Sequence, residues 1–160
     1  MQEETFADNV IRGHLTTLRP ATDTDVERLV GWHADPDVSH YWDDETFTVA
    51  EMRERLARAD VEAWIVEEAR EPVGYLQVHE TGIDMFLVPG ARGRGLGPDA
   101  ARAMVRQLLE ERGWSRVTVD PYTWNEHAVR AWRKAGFVPV SEHEPDEEHT
   151  ARWLLMEWRA

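Results

Sequence analysis

Arg92-Gly93-Arg94-Gly95-Leu96-Gly97 lies between a largely apolar run, Ile83-Asp84-Met85-Phe86-Leu87-Val88, and a stripe at helical spacing, Ala100, Ala101, Met104, Val105, Leu108 and Leu109. A strand, a glycine-rich turn and a helix start together suit an anion such as phosphate. Glycines let the backbone approach closely, the first helical N–H groups have no partner, and the helix dipole favours negative charge there. Arg92 and Arg94 add formal charge beside it. Two other phosphate-binding patterns compete with this reading. There is no Gly-Lys-Ser/Thr, which removes a Walker-type loop. Gly95-Leu96-Gly97-Pro98-Asp99-Ala100 fits the dinucleotide pattern G-x-G-x-x-A, with Asp120 downstream as a ribose-binding acid. That fold places the turn after its first strand and needs several further βα units, whereas about 60 residues and one clear helix remain here. A plain connecting loop stays open as the bland alternative.

Working outward, His14 to Arg19 alternates as a first strand and Pro20 ends it. Thr22-Asp23-Thr24-Asp25 and Thr48-Val49-Ala50-Glu51 read as helix-opening capping boxes, the second for a helix through about Ala59. Asp35-Pro36 closes the first helix. Trp64 and Val66, then Val73, Tyr75 and Gln77, alternate on one register around Arg70-Glu71-Pro72 as an antiparallel hairpin. Beyond the glycine turn a helix runs to about Arg112, and Arg116 to Asp120 is a short strand. Asn125 caps a helix that ends at Gly136, and Phe137 to Ser141 and Ala151 to Trp158 close the chain as two strands. The order β-α-α-β-β-β-α-β-α-β-β is an α/β mixture with an antiparallel first half, expected to form one domain over residues 1–160.

The 160 residues carry a net charge of −13 and no Cys. Such acidity disfavours nucleic acid and anionic membrane as partners. The lack of Cys removes disulfides, thiolate metal sites and a cysteine nucleophile. The charge is uneven: residues 84–134 hold nine Lys and Arg against six Asp and Glu. An anionic ligand is therefore expected in that +3 segment and a cationic one elsewhere. No apolar run approaches the ~20 residues of a membrane span. Met1 to Gly13 lacks a cationic start followed by an apolar core, so a cytoplasmic protein without a signal peptide is expected. The seven His show no metal-ligand spacing, and His143 and His149 in the acidic loop read as solvated rather than ligating.

Arg92 to Gly97 resembles the acetyl-CoA loop, R/Q-x-x-G-x-G/A, of the GCN5-related N-acetyltransferase (GNAT) superfamily. Asn125-Glu126-His127-Ala128-Val129-Arg130-Ala131-Trp132-Arg133-Lys134-Ala135-Gly136-Phe137 resembles its second motif, N-x-x-A, an aromatic, then E/R-K-x-G-F. The resemblance implies a mixed, mostly antiparallel sheet of about seven strands flanked by helices, and acetyl transfer from acetyl-CoA to an amine without a metal. It implies that the pyrophosphate rests on Arg92, Gly93, Arg94, Gly95, Leu96 and Gly97. The pantetheine arm would pair with Phe86, Leu87 and Val88, where a main-chain N–H polarises the thioester carbonyl, with Asn125 and Trp132 also at the coenzyme. Gly82-Ile83-Asp84 and Asp120-Pro121 resemble the subgroup of aminoglycoside 6'-N-acetyltransferases and siderophore hydroxylysine acyltransferases. Asp84 points to the aminoglycoside branch and Ser141-Glu142-His143 to the siderophore branch.

An amine attacks only as the free base, so the site must hold a cation and then remove its proton. Asp84 is the expected base, directly or through water, and Asp120 the substrate anchor. A carboxylate of ordinary pKa, about 4, matches an amine poorly, so orienting the ammonium is the other role open to each. Tyr41, Trp42 and Asp43 are expected at a cationic acceptor by charge and cation–π contact, with Gln77 as a hydrogen-bonding partner. The resemblance puts Trp132 where a proton-donating Tyr is common; Trp has no phenolic proton, which leaves Tyr122 as an alternative donor. The protein is expected to act as a monomer or homodimer on a cationic small-molecule amine. Hydroxylysine, polyamine or protein acetylation and a silent CoA-binding sensor remain as alternatives.

Overall fold

The structure, a computed structural model, describes residues 9–159. Most of the lead segment read for a signal peptide lies outside them. The strands are β1 (Ile11–Arg12), β2 (Thr17–Pro20), β3 (Glu62–Glu68), β4 (Glu71–His79), β5 (Gly82–Leu87), β6 (Thr118–Val119), β7 (Phe137–His143) and β8 (Trp153–Trp158). The helices are α1 (Val26–Ala34), α2 (Pro36–Ser39), α3 (Val49–Ala57), α4 (Leu96–Arg106) and α5 (Glu126–Ala135), with a π-helical turn, Gln107–Glu111, continuing α4. The element order matches the expectation with two additions, β1 and α2.

Eight strands form one sheet in the order β1-β2-β3-β4-β5-β6-β8-β7, all antiparallel except the β5–β6 pair. The expected sheet had about seven. The first strand also starts later than read, at Thr17, because the preceding amides are taken elsewhere. The N–H groups of His14, Leu15 and Thr16 all donate to the Asp99 carboxylate at 2.9–3.0 Å. Asp99 sits in the first turn of α4, so this buried carboxylate pins the β1–β2 turn against the start of that helix.

Each face of the sheet buries its own cluster. Ile83, Leu76, Val66 and Leu18 pack against Leu96, Ala100 and Met104 of α4 and Leu108 of the π-helical turn, with Trp132 and Ala135 of α5. On the other face Ile65, Tyr75 and Phe86 pack against Val26 and Leu29 of α1, Val38 of α2 and Met52 of α3. Alternation alone would put Val73 beside Tyr75 and Gln77, as read from the sequence. The register instead shifts: Val66 pairs with Gly74 but Glu67 pairs with Pro72, leaving Val73 as the extra residue of a bulge. Val73 therefore turns onto the face of Leu76 and Val78, while Tyr75 and Gln77 face the α1 side.

The helix ends follow their caps. Thr48 and Glu51 exchange side-chain bonds with each other's amides at 3.1 and 2.8 Å, opening α3. Asn125 accepts from the Ala128 N–H at 3.2 Å and opens α5, and Gly136, at φ 129, ends it. A Cβ on Gly136 would lie 2.6 Å from the Trp158 ring, so that position requires glycine for space as well as for its left-handed backbone.

Candidate active site

Among the described residues β5 and β6 pair at a single position, Gly82 with Thr118. Beyond it the sheet opens, and two clefts meet there. The geometry of β5 determines which of its amides face the opening. The Val88 N–H donates to the Val73 carbonyl at 2.9 Å, so alternation turns the amides of Phe86 and Val88 toward β4 and those of Met85 and Leu87 into the gap. Phe86 and Leu87 line the cleft and Val88 does not, and of these three only Leu87 turns its amide into the gap.

One cleft, of about 780 Å³, is bordered by Phe86, Leu87, Arg92, Gly93, Gly95, Leu96 and Gly97, with α5 opposite. Gly93 and Gly95 both adopt φ 80, which a side chain would resist, and Gly95 is the N-cap of α4. Arg92, Arg130 and Lys134 border this cleft, and among the described residues no carboxylate does. That fits an anion on the amides at the start of α4. Arg92 is oriented by the carbonyls of Leu87 at 3.1 Å and Asp37 at 2.8 Å. Arg94, expected in the same role, is drawn away into an ion pair with Glu68 at 2.8 Å.

The second cleft, of about 420 Å³, has the opposite charge. Asp43, Glu45, Asp60, Glu80, Asp84, Asp120 and Glu148 line it against Arg55 and Arg58. Trp42, Asp43 and Gln77 stand in its wall. Trp42 is half-buried, edge-on to Phe86 at 5.3 Å and to Tyr75 at 5.9 Å, so it shapes the wall more than it offers a free face. Asp43 and Asp44 sit at φ 55 and 56, a left-handed backbone unusual for two consecutive non-glycine residues. The Tyr122 hydroxyl donates to Asp43. That proton is therefore engaged in the acidic cleft, and Tyr122 does not border the other one, so it is misplaced as a donor to a coenzyme thiolate.

Tyr41, Met85, Asn125, Ala128 and Trp132 border both clefts. Trp132 packs edge-on to Phe137 at 5.3 Å, so the same ring supports the core and walls the junction. At the mouth, Trp124 stacks between Tyr122 and Tyr41, 5.9 Å from each.

Asp84 and Asp120 lie in the acidic cleft beside that junction, each side chain retaining about a third of its exposure, 32% and 34%. Asp84 accepts from Gln77 Nε2 at 3.1 Å and faces His79 Nε2 at 3.0 Å; Gln77 in turn accepts from the Tyr75 hydroxyl at 2.9 Å. Burial opposes ionisation of Asp84, but the His79 hydrogen bond and charge and the Gln77 amide outweigh it and hold its carboxyl below the usual range. Asp120 goes the other way: burial first, then the charge of Asp84, push it up to about 6 against the pull of His149. Two facing carboxylates thus form one titrating pair with the greater proton affinity on Asp120.

His79 and His149 were not among the expected site residues. His79 could have been found, since it continues the Tyr75, Gln77 alternation opposite Gly82. His149 left no such signal: it is 29 residues from Asp120 in sequence and reaches it, at 2.7 Å, only through folding of the β7–β8 loop.

A cationic cleft and an acidic cleft sharing one junction suit an anionic and a cationic ligand meeting there. The model of the family described as "Acetyltransferase (GNAT) domain" matches residues 16–138, and the chain belongs to this GNAT acetyltransferase family. It is 30% identical to an aminoglycoside N(6')-acetyltransferase type 1 of Klebsiella pneumoniae, over 76% of this chain and 73% of that one. Among solved structures, AAC(6')-Ib in complex with parmomycin and acetyl-CoA superposes with a TM-score of 0.80 at 26% identity, covering 90% of this chain and 93% of that one. The aminoglycoside acetyltransferase AAC(6')-Ib in complex with coenzyme A and kanamycin does so with 0.78 at 27%, covering 89% and 93%. No helix of the described residues is long and apolar enough to cross a membrane.

Proposed function

We propose that the chain, acting as one domain over residues 1–160, is an acetyl-CoA-dependent N-acetyltransferase for an amine of a polycationic aminoglycoside. The observation that carries this reading is a cationic cleft, free of carboxylates among the described residues, that meets an acidic cleft holding the Asp84–Asp120 pair. The relatives described above, which act on or bind aminoglycosides, support it.

Bound acetyl-CoA supplies the acetyl thioester. The amides at the start of α4, with Arg92, hold its phosphates, and Phe86 and Leu87 wall its arm. The Met85 and Leu87 N–H groups supply hydrogen bonds to a developing oxyanion. Asp84 and Asp120 bind the acceptor ammonium and take its proton, so that the free amine presents its lone pair at the junction. With no Cys to carry an acyl group, direct transfer is the simplest mechanism. No metal has a part in it. A monomer or a homodimer is the assembly taken for it, and the cytoplasm the place of action.

The test is release of free thiol from acetyl-CoA with kanamycin, spermidine and a lysine-containing peptide, with product mass measured. Kanamycin should gain one acetyl group, and Asp84→Asn should lower kcat by about 10²-fold or more while coenzyme affinity holds. Turnover only with spermidine or the peptide would replace the aminoglycoside reading. Coenzyme binding without turnover of any amine would favour a CoA-binding sensor.

A further inference from the structure

Asp146 to His149 form a turn closed by the Asp146 N–H to His149 carbonyl bond at 3.0 Å, and the Asp146 carboxylate accepts the N–H groups of Glu148 and His149 at 2.9 Å. This turn aims His149 inward, leaving its side chain 11% exposed. Its ring stacks on Trp153 at 4.1 Å, and His143 stacks on the same indole at 4.3 Å. Trp153 Nε1 donates to Asp146 at 3.1 Å, fixing the far carboxylate as well.

Both ring nitrogens of His149 meet carboxylates: Nε2 faces Asp120 at 2.7 Å and Nδ1 faces Asp146 at 2.8 Å. A neutral imidazole has one N–H and can serve only one of them. Either the ring is an imidazolium or one carboxyl carries the extra proton, so the group stores one mobile proton. Asp120 also faces Asp84, and Asp146 is 45% exposed. Asp84, Asp120, His149 and Asp146 thereby form a continuous path from the cleft junction to solvent.

Building on the acetyl-transfer reading, we propose that His149 is a positioning residue that acts through Asp120, passing the proton released by the acceptor amine from the Asp84–Asp120 pair to Asp146 and water. The amine N–H bond breaks as an O–H bond forms on the pair. With the ring neutral and its proton on Nδ1, Asp120 passes its proton to Nε2 as the Nδ1 proton leaves for Asp146 and water, and proton exchange with water restores the starting tautomer. The relay needs no co-reactant and no change of oxidation state.

Proton affinity is raised on Asp120 and on the ring, whereas the bond to His149 holds the Asp146 carboxyl below the usual range, so the proton passes by way of Asp146 to water rather than resting there. Burial lowers the proton affinity of His149, but its bonds to Asp120 and Asp146 outweigh burial and raise it, beside an Asp120 at about 6. The other titratable groups around the ring are Tyr122, edge-on at 6.0 Å with its hydroxyl on Asp43, His143 across Trp153, and Glu148 on the same turn. Behind Asp120 stand Asp84 and His79.

The test uses the full chain and whichever amine the wild type acetylates, with kcat and KM measured from about pH 5 to about pH 9 for wild type, His149→Gln and His149→Ala. In both variants kcat at neutral pH should fall by about tenfold to hundredfold with the acetyl-CoA KM unchanged, and added imidazole should restore much of it in His149→Ala alone. A kcat and pH profile within about twofold of wild type, or a loss that imidazole leaves untouched, overturns the relay. If the wild type acetylates no amine, the functional reading fails by itself. The relay is then judged by NMR titration of the His149 ring, whose pKa should drop in Asp120→Asn; an unchanged titration overturns it.

Discussion

Asp84 and Asp120 face each other where β5 and β6 part, and they divide one proton unequally, Asp84 held low by His79 and Gln77 and Asp120 raised to about 6. The sequence reading gave the two carboxylates separate roles, base and anchor. Their contact makes the pair the functional unit, and its ionisation sets when a cation can dock.

Asp120 keeps its proton below about 6 and is anionic above it, whereas an unperturbed Asp ionises near 4. The KM for a cationic acceptor should therefore fall as pH rises through about 6. Asp120→Asn should raise that KM by about tenfold at neutral pH and erase the step near 6, as steady-state kinetics across pH would show. A variant that retained the step would assign it to another group.

Arg92 and Arg94 flank the same glycine, but only Arg92 borders the cationic cleft. Arg92→Ala should raise the acetyl-CoA KM by about fivefold to thirtyfold, the equivalent of about 1–2 kcal/mol. Arg94→Ala removes an exposed pair with Glu68 and should change it by less than about twofold. Equal effects would contradict the placement of the two side chains.

Asp99 accepts three amide hydrogens and the Thr16 hydroxyl, and those bonds, opposing the cost of its burial, hold its carboxyl below the usual range. Its stabilisation is fully present above about pH 4, the unfolded value, and is lost as pH falls through the lowered folded value. Asp99→Ala should cost about 2–4 kcal/mol at neutral pH by leaving buried donors unpaired, and denaturant titrations should show the gap to wild type closing in acid.

A Cβ on Gly82 would lie 2.4 Å from the Thr118 carbonyl oxygen, at the one residue pair joining β5 to β6. Backbone must move to admit it. Gly82→Ala should destabilise the fold by about 1–3 kcal/mol in a thermal melt and lower kcat as well, since Asp84 is two residues along the displaced strand. Wild-type stability in this variant would mean that the two strands part without cost.

The sequence by itself determined the local parts. Capping patterns at Thr48 and Asn125, the glycines at 93, 95 and 136, and the apolar stripe from Ala100 to Leu108 all act within a few residues, so the helices, the anion-binding turn and the family resemblance were legible. It also placed charge of opposite sign in different segments. Only the tertiary structure decided what depends on register and on chain reversal. The bulge at Val73 sets which face Tyr75 and Gln77 present, and the parity of β5 sends the Met85 and Leu87 amides into the gap. The single β5–β6 pairing brings Asp84 to Asp120, and the closing loop delivers His149 to that pair. Those contacts join residues far apart in the chain and depend on the packing of the whole sheet, so no local pattern of residue types encodes them.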